Sequence, residues 1–219
     1  MKNTKLHVKG IILDLDGTLV DSTQAYLEAA RTAFSSMEQQ TVTIKTAMEI
    51  PKRFEQGIPV DDLLTGVDAK KFRRIYLKAY YQAAAVMARP LPDIAKSLKK
   101  LSEKAKLALT TRREVPSRVV IRQLKNFGLE GYFQIVVTGC DKFSPKPSPD
   151  AILECSRKLG VKTGQCAVVG DSIVDIEAGK RAGAKTVAVL SGIFSRQDLK
   201  KEKPDLILES VTKLPDFLE

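Results

Sequence analysis

Residues 12–22 read ILDLDGTLVDS, an apolar strand run set directly against acids. Asp14 and Asp16 are separated by one residue. Side chains on a strand alternate between faces, so this spacing predicts two carboxylates pointing the same way if the strand persists to its end. Fold stability does not ask for that arrangement. Like charges held so close repel and push one pKa up, which implies a shared cation, a proton held for chemistry, or both. Gly17 supplies a turn, and Asp21 and Ser22 are expected to start the next helix as capping groups.

Working outward, short apolar runs rich in β-branched residues recur at Gly10–Asp14, Lys106–Thr110, Gln134–Thr138, Gln165–Val169, Lys185–Leu190 and Asp205–Leu208. They lack strict alternation, so both faces of each strand are expected to be buried. Helical stretches separate most of them and stop at glycines: Val115–Phe127 before Gly128, Pro149–Leu159 before Gly160, and Ile173–Ala182 before Gly183. Strand and helix in alternation predict an α/β fold, a Rossmann-like, doubly wound parallel sheet whose ligands bind beyond the carboxyl ends of the strands.

Some ninety residues lie between the first two strands, far more than one crossover needs. Segments Thr23–Met37, Thr41–Glu55, Pro59–Leu64 and Asp68–Ala88 read as helical. In the last, Phe72, Ile75, Tyr76, Ala79, Tyr80, Ala83 and Met87 recur at spacings of three and four, an amphipathic stripe expected to be bundle core. A helical insert over residues 22–90 follows, with residues 1–21 and 91–219 forming the sheet domain. The prolines of the ARPLPD segment suit a hinge.

Composition excludes several classes. The chain has 219 residues and 43% hydrophobic content, which suits a globular domain with an insert. No apolar stretch is long enough to span a bilayer, and the opening MKNTKLHVKG lacks the features of a secretory signal, so a cytoplasmic protein with no membrane partner is expected. Cys140, Cys155 and Cys166 show no disulfide or zinc spacing and read as small reduced hydrophobes. The net charge of +10 is spread along the chain in singles and pairs. It reads as a solubilising surface rather than a nucleic-acid footprint. His7, the only histidine, is expected at the surface, which leaves no histidine-based mechanism.

Each candidate strand ends in a distinct polar group. The first delivers Asp14 and Asp16, the second Thr110 and Thr111, the third is followed by Lys146 in KPSPD, and the fourth ends in Asp171 with Asp175 four residues on. All would emerge at one edge of a parallel sheet. That set suits phosphoryl transfer. Hard oxygen ligands make Mg²⁺ the natural ion for Asp14, a carbonyl near Asp16, and Asp171. Metal and Lys146 would neutralise a phosphate while Thr110 and backbone N–H groups hold its oxygens, so that Asp14 can attack phosphorus and form an aspartyl phosphate. Asp16 would protonate the leaving oxygen and then deprotonate water, which requires its carboxyl to hold a proton well above about 3.9. Arg112 and Arg113 would point to opposite faces of an extended chain, so at most one reaches the site. Lys52 and Arg53 either meet an anionic leaving group or are simply solvated.

DLDGTLVDS, Thr110, Lys146 in KPSPD, and GDSIVDIEAG occur in the order of the four motifs of the haloacid dehalogenase superfamily, which the chain resembles over nearly its whole length. The resemblance implies Asp14 as nucleophile, Asp16 as general acid/base, and Thr110 and Lys146 as phosphate ligands. It also implies Mg²⁺ held by Asp14, the Asp16 carbonyl and Asp171, with Asp175 behind them or bound through water. Thr111 stands where this subgroup often carries Asn, which leaves backbone binding of phosphate as the expected contribution there. The insert resembles the C1 cap that closes over substrate, as in the subgroup containing phosphoglycolate phosphatase and β-phosphoglucomutase. Dehalogenases lack the second aspartate, so Asp16 argues for phosphomonoester chemistry on a small phosphorylated metabolite. A phosphosugar mutase and a non-catalytic phosphate-binding module are the competing readings. A monomer or homodimer is expected.

Overall fold

The computed structural model describes residues 5–38, 42–64 and 66–219. The chain divides into two compact units, one formed by residues up to Val20 together with Pro90–Glu219, the other by Asp21–Arg89. The chain passes between them at a short two-stranded ribbon, β2 (Val20–Asp21) with β3 (Arg89–Pro90).

The first unit is built on six strands: β1 (Gly10–Leu13), β4 (Lys106–Thr110), β5 (Phe133–Val137), β6 (Cys166–Gly170), β7 (Lys185–Val189) and β8 (Leu206–Leu208). Their spatial order is β5-β4-β1-β6-β7-β8, and every pairing is parallel. The chain builds outward from β1 in one direction and then returns to build outward in the other. The order therefore reverses between β4 and β6, on either side of β1, which makes the carboxyl ends of these three strands the crevice of a doubly wound sheet. Leu13 lies level with Leu109 on one side and Val169 on the other.

Burial on both faces explains why the strands read as continuous apolar runs. Ile12, Ala108 and Val168 pack with Ile152, Cys155 and Leu159 of α6 (Asp150–Leu159) and Ala178 of α7 (Ile173–Ala182). Ile11, Leu13, Leu107 and Leu109, which alternate with them, are equally buried. Helix α5 (Ser117–Asn126) packs against β5, and α4 (Ile94–Lys104) against β4 and the C-terminal 3₁₀ turn at Val211–Phe217. Near β7, Ile176, Ala188, Phe194 and Leu199 of α8 (Arg196–Lys201) form a smaller cluster. Gly160 and Gly183 stop α6 and α7 in the left-handed conformation, as their positions in the sequence predict. Helix α4 was not among the expected helices: the prolines of ARPLPD read as a hinge, yet Leu91 N–H bonds the Leu19 carbonyl and the helix begins three residues later.

The second unit holds α1 (Thr23–Ser35), α2 (Ile44–Gln56) and α3 (Ala69–Met87). Its core is aromatic. Tyr26 stacks on Tyr80 with centroids 4.9 Å apart, and Phe34 and Phe54 meet Phe72 and Tyr76 edge-on at 5.1 and 5.3 Å. The predicted stripe of α3 supplies Phe72, Tyr76, Ala79, Tyr80 and Ala83 to this core, whereas Met87 is exposed at the helix end. Pro59–Leu64 is a single 3₁₀ turn at Asp61–Leu63 rather than a helix. Asp21, not Ser22, supplies a side-chain acceptor at the start of α1, bonding Thr23 N–H at 2.9 Å. Arg53 is tied to Glu49, Asp62 and the Pro59 carbonyl inside this unit. Thr41, placed at the start of a helix by the sequence, and residues 1–4 of the opening segment lie outside the described residues.

No helix among the described residues is long and apolar enough to cross a membrane. Cys155 and Cys166 are buried free thiols, and burial pushes the Cys155 thiol up to about 12. Cys140 departs from the expectation for all three: it sits exposed in the loop after β5, where no core exists to receive it.

Ile12 is completely buried at the sheet centre. Ile12→Ala is expected to lower unfolding free energy by about 2–5 kcal/mol in urea denaturation. A loss well under 1 kcal/mol would contradict the packing described.

Candidate active site

Strand β1 ends at Leu13, so Asp14 is the first residue past it, though its N–H still bonds the Val169 carbonyl at 2.9 Å. The strand alternation that would align Asp14 with Asp16 therefore does not reach them. Because the strand ends before either acid, the chain turns between them, and their carboxylates meet different cations.

Asp14 meets Lys146. The Lys146 ammonium donates to Asp14 Oδ1 at 2.7 Å and to Asp175 Oδ1 at 2.6 Å, and it lies 3.5 Å from the Thr110 carbonyl. Lysine and Asp175 are almost wholly enclosed. Burial works against the lysine's charge, but Asp14 and Asp175 together hold its pKa above the ordinary value. Burial also dominates at Asp14, raising its pKa from 3.8 to about 7 against the opposing pull of Lys146, with the Asp175 charge adding to the rise. One lysine thus incompletely compensates the acids around it.

The remaining acids arrive from β6. Asp171 follows Gly170, and its Oδ1 accepts from the Thr18 hydroxyl at 3.1 Å. Asp175 closes the first turn of α7, where its Oδ2 accepts from the Ser172 hydroxyl at 2.6 Å in a reciprocal capping box. Asp175 therefore serves the helix end and the lysine at once. Asp14, Asp171 and Asp175 are all buried and each presents an oxygen within 4.8 Å of the others. Three hard carboxylate donors held together in this way fit a divalent cation.

Glycines make the room. Gly17 has φ of +78°, and a Cβ there would overlap the Asp171 carboxylate; one on Gly192 would do the same. The Ser191 hydroxyl donates to the Gly17 carbonyl at 2.7 Å and pins that turn. Thr18, Ser191 and Gly192 were not singled out from the sequence, since each matters only through its approach to Asp171 or Gly17.

Asp16 meets Arg113. Its Oδ2 and Oδ1 accept from Arg113 Nε at 2.7 Å and Nη2 at 2.5 Å, a two-pronged pair in which both side chains are largely buried. The opposite guanidinium nitrogen donates to Gln123 Oε1 at 2.7 Å. An adjacent carboxylate and partial burial are the surroundings the sequence suggests for Asp16; the group bonded to both its oxygens is a guanidinium. Of the two arginines after β4, Arg113 is buried and Arg112 is not.

Thr110 closes β4 in a fully enclosed position and faces the site through its carbonyl. Thr111 bonds Val137 through its N–H, and its hydroxyl accepts from Arg113 N–H at 3.2 Å, so it shapes the turn that carries the arginine. His7 is exposed and pairs with Glu219.

Residues 11–189 match the haloacid dehalogenase-like hydrolase family. The chain belongs to that family. A phosphoglycolate phosphatase of Aquifex aeolicus is 31% identical over 95% of this chain and 96% of its own length. A pyrophosphatase of Halalkalibacterium halodurans is 27% identical over 98% and 97%. A haloacid dehalogenase-like family hydrolase from Streptococcus pneumoniae superposes with a TM-score of 0.80 at 22% identity, covering 99% of both chains, so the shared fold includes the helical insert.

Asp14 must be ionised to bind a cation, and its burial keeps it protonated up to about pH 7. Divalent-cation affinity measured by calorimetry is therefore expected to rise with pH from about 5 and level off above about 7. A pH-independent affinity across that range would contradict the assignment.

Proposed function

We propose that this enzyme is a Mg²⁺-dependent phosphatase that hydrolyses a small phosphomonoester through an aspartyl phosphate on Asp14. The observation that carries the reading is the buried cluster in which Lys146 joins Asp14 to Asp175 while Asp171 completes a three-carboxylate set. The phosphatase relatives support the substrate class, with phosphoglycolate as the first compound to test.

The residues divide the work by position. Asp14 and Asp171 are the direct metal ligands, together with the Asp16 carbonyl, while both oxygens of Asp175 are already engaged by Lys146 and Ser172. Asp175 therefore supports the site from behind. Bound there, the cation supplies positive charge to the phosphoryl oxygens and lets the carboxylates coexist in ionised form. Lys146 supplies a second, fixed positive charge beside the nucleophile. Thr110, at the carboxyl end of β4, belongs to the phosphate-binding segment, while the N–H expected of Thr111 for phosphate is already bonded to the Val137 carbonyl, so that residue shapes the turn beside it. Asp14 attacks phosphorus in line as the ester oxygen leaves. Asp16 gives that oxygen its proton and afterwards takes one from the water that cleaves the aspartyl phosphate.

Purified protein is expected to release phosphate from a panel of small phosphomonoesters with Mg²⁺ and not with a chelator. Asp14→Asn should lower kcat by at least about 10³-fold. Lys146→Ala should cost about 10²-fold or more, with a raised KM, because it removes a charge that faces both nucleophile and phosphate. Retained activity in Asp14→Asn would overturn the mechanism. Isomerised sugar phosphate without free phosphate would replace hydrolysis by a mutase reaction.

A further inference from the structure

Arg113 has no place in the scheme above, and its surroundings call for one. It lies 97 residues from Asp16 in sequence, yet its guanidinium grips both oxygens of that carboxylate, at 2.7 and 2.5 Å. It is itself held at 2.7 Å by Gln123, a buried residue of α5. The turn that delivers it is tied down by Thr111. A buried ion pair is a poor device for stability, because desolvating two charges offsets most of their attraction and apolar replacements are often as stable. Orientation is what such a fork provides: a planar guanidinium fixes both the position and the plane of a carboxylate. A carboxylate has about four lone-pair sites, and the fork to Arg113 uses one on each oxygen.

We propose that Arg113 is a positioning residue that holds Asp16 in the orientation needed to protonate the leaving oxygen, braced from behind by Gln123. This rests on the phosphatase reading. Arg113 acts through Asp16 and does not touch the phosphoryl group. Its importance therefore depends on how much the leaving group needs a proton. An alkyl ester such as phosphoglycolate leaves as a strongly basic alkoxide and needs protonation, whereas 4-nitrophenolate departs without it.

The test compares wild type, Arg113→Lys and Arg113→Met with both substrates at saturating Mg²⁺, and measures inorganic phosphate binding by calorimetry. For Arg113→Met, kcat/KM is expected to fall about 10²-fold on phosphoglycolate, or on the best alkyl substrate found, but less than about threefold on 4-nitrophenyl phosphate. Phosphate affinity should stay within about threefold of wild type, since the interaction acts on the proton and not on phosphate. Arg113→Lys, which keeps the charge but loses the fork, should fall in between. Equal losses on both substrates together with weakened phosphate binding would make Arg113 a phosphate ligand and overturn the proposal. Wild-type rates in a folded Arg113→Met would overturn it as well. If Arg113→Met does not fold, Arg113→Lys decides by the same ratio. Absence of turnover by wild type on every ester is a separate result, and it would remove the phosphatase reading and this inference together.

Discussion

The rest of the site depends on one ammonium. Lys146 sits enclosed between Asp14 and Asp175, bonded to both. Without it three buried carboxylates would face one another unscreened; with it alone, Asp14 is still driven toward its neutral form. One fixed cation is enough to hold the cluster together and too little to satisfy it. The incomplete compensation leaves room for a further positive charge beside Asp14, which would favour its ionised form.

The fold serves this arrangement. Reversal of strand order between β4 and β6 opens the sheet on either side of β1, and the strands that flank the opening end within a residue of one another. Asp14, Thr110 and Asp171 are thereby placed side by side with no long loop to order. Gly17 and Gly192 keep side chains away from Asp171, so tolerance to substitution is lost at positions that carry no chemistry.

Much of this was legible in the sequence because it depends on local patterns. Apolar runs such as those at Ile11–Leu13 and Cys166–Val169 are long enough only for strands, and Gly160 and Gly183 stand where helices must stop. Asp14, Lys146, Asp171 and Asp175 could be read as one cluster because each follows a strand in a parallel sheet. What escaped depends on distant approach. The spacing of Asp14 and Asp16 aligns the two only on a continuing strand, and β1 stops before either acid. Arg113 could be narrowed to one of two arginines and no further, since its partner lies beyond a turn whose course is set by the Thr111 hydroxyl. Helix α4 was obscured by the prolines before it, although Ile94, Leu98 and Leu101 carry a helical spacing into the core.

The most direct test of the account is to catch the phosphoryl group on the protein. Enzyme mixed with substrate and Mg²⁺ is quenched within a turnover, reduced with borohydride to convert an aspartyl phosphate to homoserine, and mapped by peptide mass spectrometry. The account requires homoserine at position 14, dependent on both substrate and divalent cation. Turnover that leaves Asp14 unmodified while another residue carries the phosphoryl group would contradict it.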